Sequence, residues 1–444
     1  MFNRYTRFSY LRNIISAEYG SPIRRYVTLL PMHGASRSYL RSHQLHLLLD
    51  AYYRSSVHIL QETVELMSPP NDVPYKCRIA VCLKTNSDRE EELQLFVKLL
   101  TDDPDDLIKI ANAYMRVDQM IKMKKEIQIY TVVIAAIEKF QNQMKIKKEF
   151  RYKNVFANFI GARLSFETTT ANLPDQFSAI LLDTPEFRYY KTKSNGTGFT
   201  GFDFFHAKMI IRDMARFHAC PIAMKIKNDK KFRKKVMSFL NLEVKDFEKL
   251  PPSQSLCHEL LTDGLKHKPE VLHQMPFLRE SLQLSRLSEW IQEDHEDKTW
   301  HTLCHSRYCI PNIITSYPSR ELPRRSKLLE LGKLSFNNCC LDLAFFLFTS
   351  LRTDILEINS RNLLEEYYTV FATTLGEHKV PLEKYSYGKF ITEFLDIGKR
   401  SIAEILISVK ASSCEGYDET GQPILGENYR RRVKVAVRLA AGLM

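Results

Sequence analysis

The chain has 444 residues, 44% of them hydrophobic and 26% charged, with a net charge of +12. That balance suits a globular protein of two or three domains and excludes a disordered polyelectrolyte. The positive excess lies in two segments: the arginines at 4, 7, 12, 24, 25, 37 and 41 against Glu18, and the basic run 225–235 against Asp229. The remainder is neutral, which argues against the continuous basic track that nucleic acid requires, so no nucleic-acid partner is expected.

Residues 1–49 are Arg-rich, free of Lys and nearly free of acid, with Phe8, Leu11 and Ile15 at helical spacing. They read as a basic leader, either disordered or surface-bound, or a mitochondrial presequence. The protein is expected in the cytoplasm, with the mitochondrion as the alternative through that Arg-rich N-terminus: nine cysteines, an odd number without a dense framework, favour reduced thiols. Neither Cys77/Cys82 nor Cys304/Cys309 has the two-residue spacing that favours zinc. The longest apolar stretch, CCLDLAFFLFTSL, is broken by Asp342 and falls short of the ~20 residues needed to span a bilayer, so no transmembrane segment is expected.

From about Asp50 to Leu100 the pattern predicts strands at HILQETVELM, YKCRIAVCLKTN and ELQLFVKLL, paired antiparallel across turn-like PPND and NSDREE. The stretch from Asp102 to Phe140 predicts a helix opened by aspartate caps, its second half packing on the sheet. Strands follow at RYKNVFANFIGARL and FSAILLDTP, with a boundary near Thr184–Phe187. Downstream, KTKSNGTGFTG reads as a loop and FDFFHAKMIIRDMARFHA as an amphipathic helix. The basic run reads as a solvated face, contact with an acidic membrane being the lesser alternative, and a basic helix closes the chain at ENYRRRVKVAVRLAAGLM.

Six blocks in order carry a resemblance: LQLFVKLL, MKKEIQIY, ILLDTPEF, GFDFFHAKMIIRDMARFHA, WHTLCHSRYCIPNII and KLLELGKLSFNNCCLDLAFFLFTS, together about residues 93–350. In these the chain resembles the insect ecdysteroid kinase-like, or CHK kinase-like, family, related in fold to choline and aminoglycoside kinases. The resemblance implies an α+β, two-lobed, protein-kinase-like fold. A small antiparallel-sheet N-lobe would occupy 50–184 and a larger, mainly helical C-lobe 185–444. It also implies ATP and magnesium as cofactors and a small lipophilic ligand, such as an ecdysteroid, as substrate.

Carried over residue by residue, Lys98 would reach nucleotide phosphates, Glu126 would hold that Lys, and Asp183 sits in the strand whose backbone holds adenine. Without the resemblance, Lys98 is a Lys at a strand end and Glu126 a helix-face carboxylate. His206 and His218 match the family's helix signature and read as packing or helix-end groups. The family's His-Gly-Asp, four residues, Asn is here His305, Ser306, Arg307, then Asn312: the spacing persists and the catalytic acid is replaced by Arg307. A guanidinium stays protonated and cannot serve as a general base. The family's metal-binding Asp is Glu330, so Asn312 and Glu330 would form a weakened or lost magnesium site, and Asp342 would support the catalytic loop. The nucleotide-covering loop, placed at LDAYYRSSVHIL, has no glycine, and Tyr52 and Tyr53 obstruct close approach to phosphate. The resulting expectation is a pseudokinase, with an active small-molecule kinase as the alternative.

Overall fold

A computed structural model describes residues 42–66, 75–100, 112–164, 178–184, 187–189, 201–240, 298–317, 322–417 and 423–442. Residues 1–41 of the expected basic leader, the aspartate caps at 102–106 and the loop at 191–200 lie outside these residues, whereas leader residues 42–49 fall in a described helix. The chain divides into two compact units, one of Met1–Thr131 with Ala157–Pro185, the other chiefly of Val132–Phe156, Glu186–Asn241 and Lys245–Met444.

In the first unit, helix α1 (Ser42–Tyr53) precedes strands β1 (His58–Leu66), β2 (Tyr75–Lys84) and β3 (Glu90–Leu99). With β4 (Asn158–Arg163) and β5 (Ala179–Asp183) they form an antiparallel sheet in the order β1-β2-β3-β5-β4. The strand alternation decides which side chains meet: Cys77, Ile79, Val81 and Leu83 of β2 and Leu95, Val97 and Leu99 of β3 share one face. Leu45, Leu48 and Leu49 of α1 cover that face, three and four residues apart as one helical stripe requires. Phe96 and Lys98 therefore point to the other face, toward Ile180 and Leu182 in register.

This changes one sequence expectation. Tyr52 and Tyr53 belong to the end of α1 and not to a nucleotide-covering loop, because Leu45 through Leu49 have sheet surface to cover. The helix stops at Arg54, in the left-handed region at φ 54°, and Asp50 Oδ1 accepts the Val57 N–H at 2.8 Å to close the turn. The link between the first two strands is MSPPNDVP, outside the described residues.

Helix α2 (Asn112–Gln128) runs through a wide turn (Ile129–Ile134) into α3 (Ala135–Gln143). The second half of the predicted helix meets the sheet only in part: Glu126 pairs with Lys98 of β3 and Tyr130 stacks on Phe159 of β4, whereas Val132 to Phe156 belongs to the second unit, where α3 meets α4 (Phe204–Lys227). RYKNVFANFIGARL is strand only from Asn158. The earlier residues form a 3₁₀ turn (Tyr152–Val155), because the Tyr152 N–H is taken by Gln141 Oε1 at 2.8 Å and has no ladder partner.

The second unit is mainly helical. The N-cap of α4 is Asp203, whose side chain accepts the His206 N–H at 2.9 Å, and its middle is buried on nearly every side from Met214 to Met224. Beyond it, Lys227, Lys230, Arg233, Lys234 and Lys235 are exposed, whereas Lys225 donates to the carbonyls of Lys298 and His301. Strand β7 (His301–Cys304) pairs with β10 (Ser335–Asn338); β8 (Ile313–Ser316) joins β6 (Phe187–Tyr189) and β9 (Arg325–Leu328). Helices α5 (Cys339–Ser350), α6 (Thr353–Glu377), α7 (Tyr387–Ser412) and α8 (Glu427–Ala440) complete it. The chain is thus mixed α+β, with a small antiparallel sheet in one unit and a larger helical second unit. No helix among the described residues is long and apolar enough to cross a membrane.

Candidate functional site

Each unit carries a group of candidate residues, described by itself. In the first, Lys98 Nζ lies 2.7 Å from Glu126 Oε2, with the two side chains only 5% and 2% exposed. The strand pleat turns Lys98 toward α2, where Met123, Glu126 and Ile127, with Tyr130 in the wide turn beyond, are buried at spacings of three and four. An ammonium out of water needs a charge partner at this distance, and Glu126 supplies it. Asp183 ends β5 opposite Leu95 and Asn158; burial pushes its carboxyl up, and hydrogen bonding from Asn158 partly offsets that. Thr184 N donates to Gln94 O at 2.8 Å, so the backbone beyond Asp183 is held at the sheet.

In the second unit, the segment His305–Asn312 is anchored from beneath. Asp342, in the first turn of α5, accepts the His305 N–H at 2.5 Å and the Ser306 N–H at 2.8 Å, one on each carboxylate oxygen. His218 Nε2 lies 3.2 Å from the same carboxylate, and its Nδ1 lies 2.7 Å from the Tyr367 hydroxyl. His305 is fully buried and its Nε2–H donates to Leu329 O at 2.8 Å; burial pushes its pKa down, so the ring is a neutral structural group. Ser306, at φ 65°, turns the chain out of the core.

Arg307 follows, 39% exposed, with Nη2 at 3.5 Å from Glu404 Oε1, Nη1 donating to Ser408 Oγ at 3.3 Å, and the guanidinium 5.4 Å from the centroid of Phe345. Its backbone carbonyl accepts from Asn312 Nδ2 at 2.8 Å. Asn312 O in turn accepts the Leu329 N–H at 2.9 Å, and the next residue, Glu330, adopts the left-handed region at φ 62°. The sequence pointed to Arg307 but not to Glu404, Ser408 or Phe345. Glu404 and Ser408 are four apart on one face of α7, a spacing that carries no mark of what it faces.

His218, Cys304 and Asp342 bring three ligand-type atoms within 4.8 Å of one another. All three already serve the core: Cys304 Sγ faces the carbonyls of Asn337 and Asn338, and burial pushes its thiol far up, away from the thiolate that a metal requires. Seven cysteines among the described residues are free thiols, Cys77, Cys304, Cys339 and Cys340 among the buried ones.

A buried Lys–Glu pair joins strand to helix in the first unit, and in the second a loop of the His305–Asn312 spacing hangs from a helix-borne Asp. The model of the ecdysteroid kinase-like family matches residues 76–380, which contain both. The chain belongs to the ecdysteroid kinase-like family. No curated protein matches it. The matched range contains Lys98, Glu126, His305, Arg307, Asn312, Glu330 and Asp342.

These residues fit the two cofactors of a kinase unequally. Lys98, a cation held by a buried carboxylate, suits a nucleotide phosphate. The donors that the resemblance offers for magnesium are the neutral amide of Asn312, engaged through Nδ2, and one carboxylate, Glu330, and Arg307 of the same loop brings a guanidinium. Magnesium demands hard oxygens in near-octahedral array, and this set does not fit it well.

Proposed function

We propose that this member of the ecdysteroid kinase-like family is a pseudokinase that holds a nucleotide through Lys98 and has lost phosphoryl transfer. The reading rests on Arg307, which the resemblance sets at the position of the catalytic acid, and the observation that supports it is that its side chain is tied to Glu404, Ser408 and Phe345. A general base is worth about 10²–10⁴ in rate, and a permanent cation supplies none of it. Positive charge there also opposes a metal ion, and phosphoryl transfer depends on charge placement more than on any covalent step. A nucleotide phosphate would meet Lys98, Asp183 would lie beside the adenine-holding backbone, and no step is assigned to a metal.

Glu404 favours a second reading. It is a carboxylate within 3.5 Å of Arg307, and could orient a substrate hydroxyl in place of the missing Asp, giving slow phosphorylation of an ecdysteroid or another small lipophilic alcohol. Transfer from γ-labelled ATP to a hydroxylated steroid separates the two. The pseudokinase reading requires no transfer above background; transfer abolished by Glu404→Gln would establish the kinase.

A further inference from the structure

A pocket of about 700 Å³ opens on the second unit, and none of Lys98, Arg307, Asn312 or Glu330 lines it. Lys208, Arg212 and Arg216, each four residues from the last, bring three cations to it from one stripe of α4, and Arg324, Arg325 and Lys327 bring three more from the start of β9. The carboxylates facing these six are Asp213 and Glu366. Glu366 takes both Lys208 and Arg212, while Asp213 lies 2.8 Å from Arg216 and 2.5 Å from Ser326 Oγ. Lys327 Nζ donates to Asn154 O at 2.6 Å. Arg324 and Arg325 are exposed and make no ion pair among the described residues. The remaining charged lining, Lys148 and Glu149, cancels.

The pocket also has an apolar edge. Phe205 and Leu322, 60% and 52% exposed, are among the large hydrophobic side chains that the described residues leave in water, and both line this cavity. Excess positive charge beside exposed apolar surface selects for an amphiphilic anion, and the volume is that of a small-molecule site. Guanidinium forks favour phosphate over a lone carboxylate, since one phosphate accepts two parallel N–H groups and keeps further oxygens for neighbouring cations.

We propose that this pocket binds a small molecule carrying phosphate or pyrophosphate next to an apolar group, at a site separate from the nucleotide-holding Lys98. Arg324 and Arg325 engage the anion, the α4 stripe supplies the surrounding field, and Phe205 and Leu322 cover the apolar part. The proposal stands whether or not the protein transfers phosphate.

Calorimetry of the full chain in chelator tests it with three probes: inorganic pyrophosphate, inorganic phosphate and hexyl phosphate. Pyrophosphate is expected to bind, and Arg324→Glu with Arg325→Glu to weaken it roughly tenfold or more, the scale of one lost charge-assisted hydrogen bond. Both side chains are exposed, so the variant should unfold at an unchanged temperature. Lys98→Met with Glu126→Leu should leave pyrophosphate binding unchanged. Hexyl phosphate should bind more tightly than inorganic phosphate, an advantage that Phe205→Ser with Leu322→Ser removes. Absence of binding, binding indifferent to the charge reversal, or binding lost in the Lys98 variant would overturn the proposal. So would binding confined to anionic vesicles, which would make the patch a membrane contact.

Discussion

The guanidinium of Arg307 is turned onto helix α7, 3.5 Å from Glu404, while its own carbonyl accepts from the Asn312 amide at 2.8 Å. The side chain thus serves one neighbour and the backbone another. Both partners of the ion pair are more than a third exposed, so solvent screens them. Arg307→Ala is expected to cost less than about 1 kcal/mol, and a double-mutant cycle with Glu404→Ala to give about 0.2–1 kcal/mol of coupling. Denaturant titration checks this. A cost of several kcal/mol would mean that Arg307 holds the fold, and substitutions there could not be read as tests of chemistry.

Lys98 and Glu126 should behave in the opposite way. Removing either partner alone, as in Lys98→Met, strands a buried charge and should cost about 3–5 kcal/mol. Replacing both, Lys98→Met with Glu126→Leu, removes the desolvation penalty along with the attraction and should cost far less than the sum. Urea unfolding of the two singles and the double decides it: additive losses would show that the pair is not coupled.

Asp342 holds the His305–Ser306 backbone through both carboxylate oxygens. Asp342→Asn keeps the size but faces one N–H with an NH₂, so a buried donor loses its acceptor. The expected loss is about 1–3 kcal/mol, with faster hydrogen exchange at His305 and Ser306. Unchanged exchange at those amides would contradict this role.

Acid should weaken the second unit through His378. Its Nδ1–H donates to Thr374 O at 2.7 Å, and its Nε2 accepts from Gln141 Nε2 at 3.1 Å. Gln141 cannot flip, because its Oε1 takes the Tyr152 N–H and its Nε2 donates to Phe150 O. Burial pushes the His378 pKa down; Thr374 O and Glu377 push it up, and Arg151 pushes it down further. Below the ordinary His value of about 6.5 the unfolded chain binds a proton that the folded chain refuses, so stability falls with pH from there to the lowered folded value. His305, also lowered, adds to the slope. His378→Gln should flatten the decline in unfolding temperature between pH 6.5 and 5; an equal slope in wild type and variant would exclude His378 as a source.

Gly201 marks a close approach of two backbones. A Cβ there would lie 2.5 Å from Arg352 N and closer still to the Leu351 carbonyl, where Phe202 N donates to Ser350 O at 2.8 Å. Gly201→Ala must move backbone, and an expected loss of more than about 1 kcal/mol is measurable by thermal unfolding. An unchanged unfolding temperature would show that the junction yields.

The sequence carried the strands β1 to β3 well, because Cys77 to Leu83 and Leu95 to Leu99 alternate as a half-buried sheet must. It misread α1, since LHLLLDAYY becomes a helix on account of a sheet face far along the chain that needs cover. It also missed the 3₁₀ turn at Tyr152, whose cause is one buried side chain, Gln141. At the candidate site, Lys98, Glu126, His305, Arg307, Asn312, Glu330 and Asp342 were all legible through ordered blocks of sequence. Glu404 and the basic pocket were not, because tertiary packing alone brings α7 to Arg307 and β9 to the α4 stripe.

A pseudokinase of this kind is expected to hold nucleotide without a metal. Thermal unfolding of the purified chain with ATP and magnesium, with ATP and chelator, and with neither tests it most directly, with Lys98→Met/Glu126→Leu as the control. Ligand at ~100 times its dissociation constant adds about 2.7 kcal/mol to the folded state. The expected result is the same rise with magnesium and with chelator, absent from the control. A rise that needs magnesium would contradict the pseudokinase reading, and no rise at all would contradict nucleotide binding by Lys98.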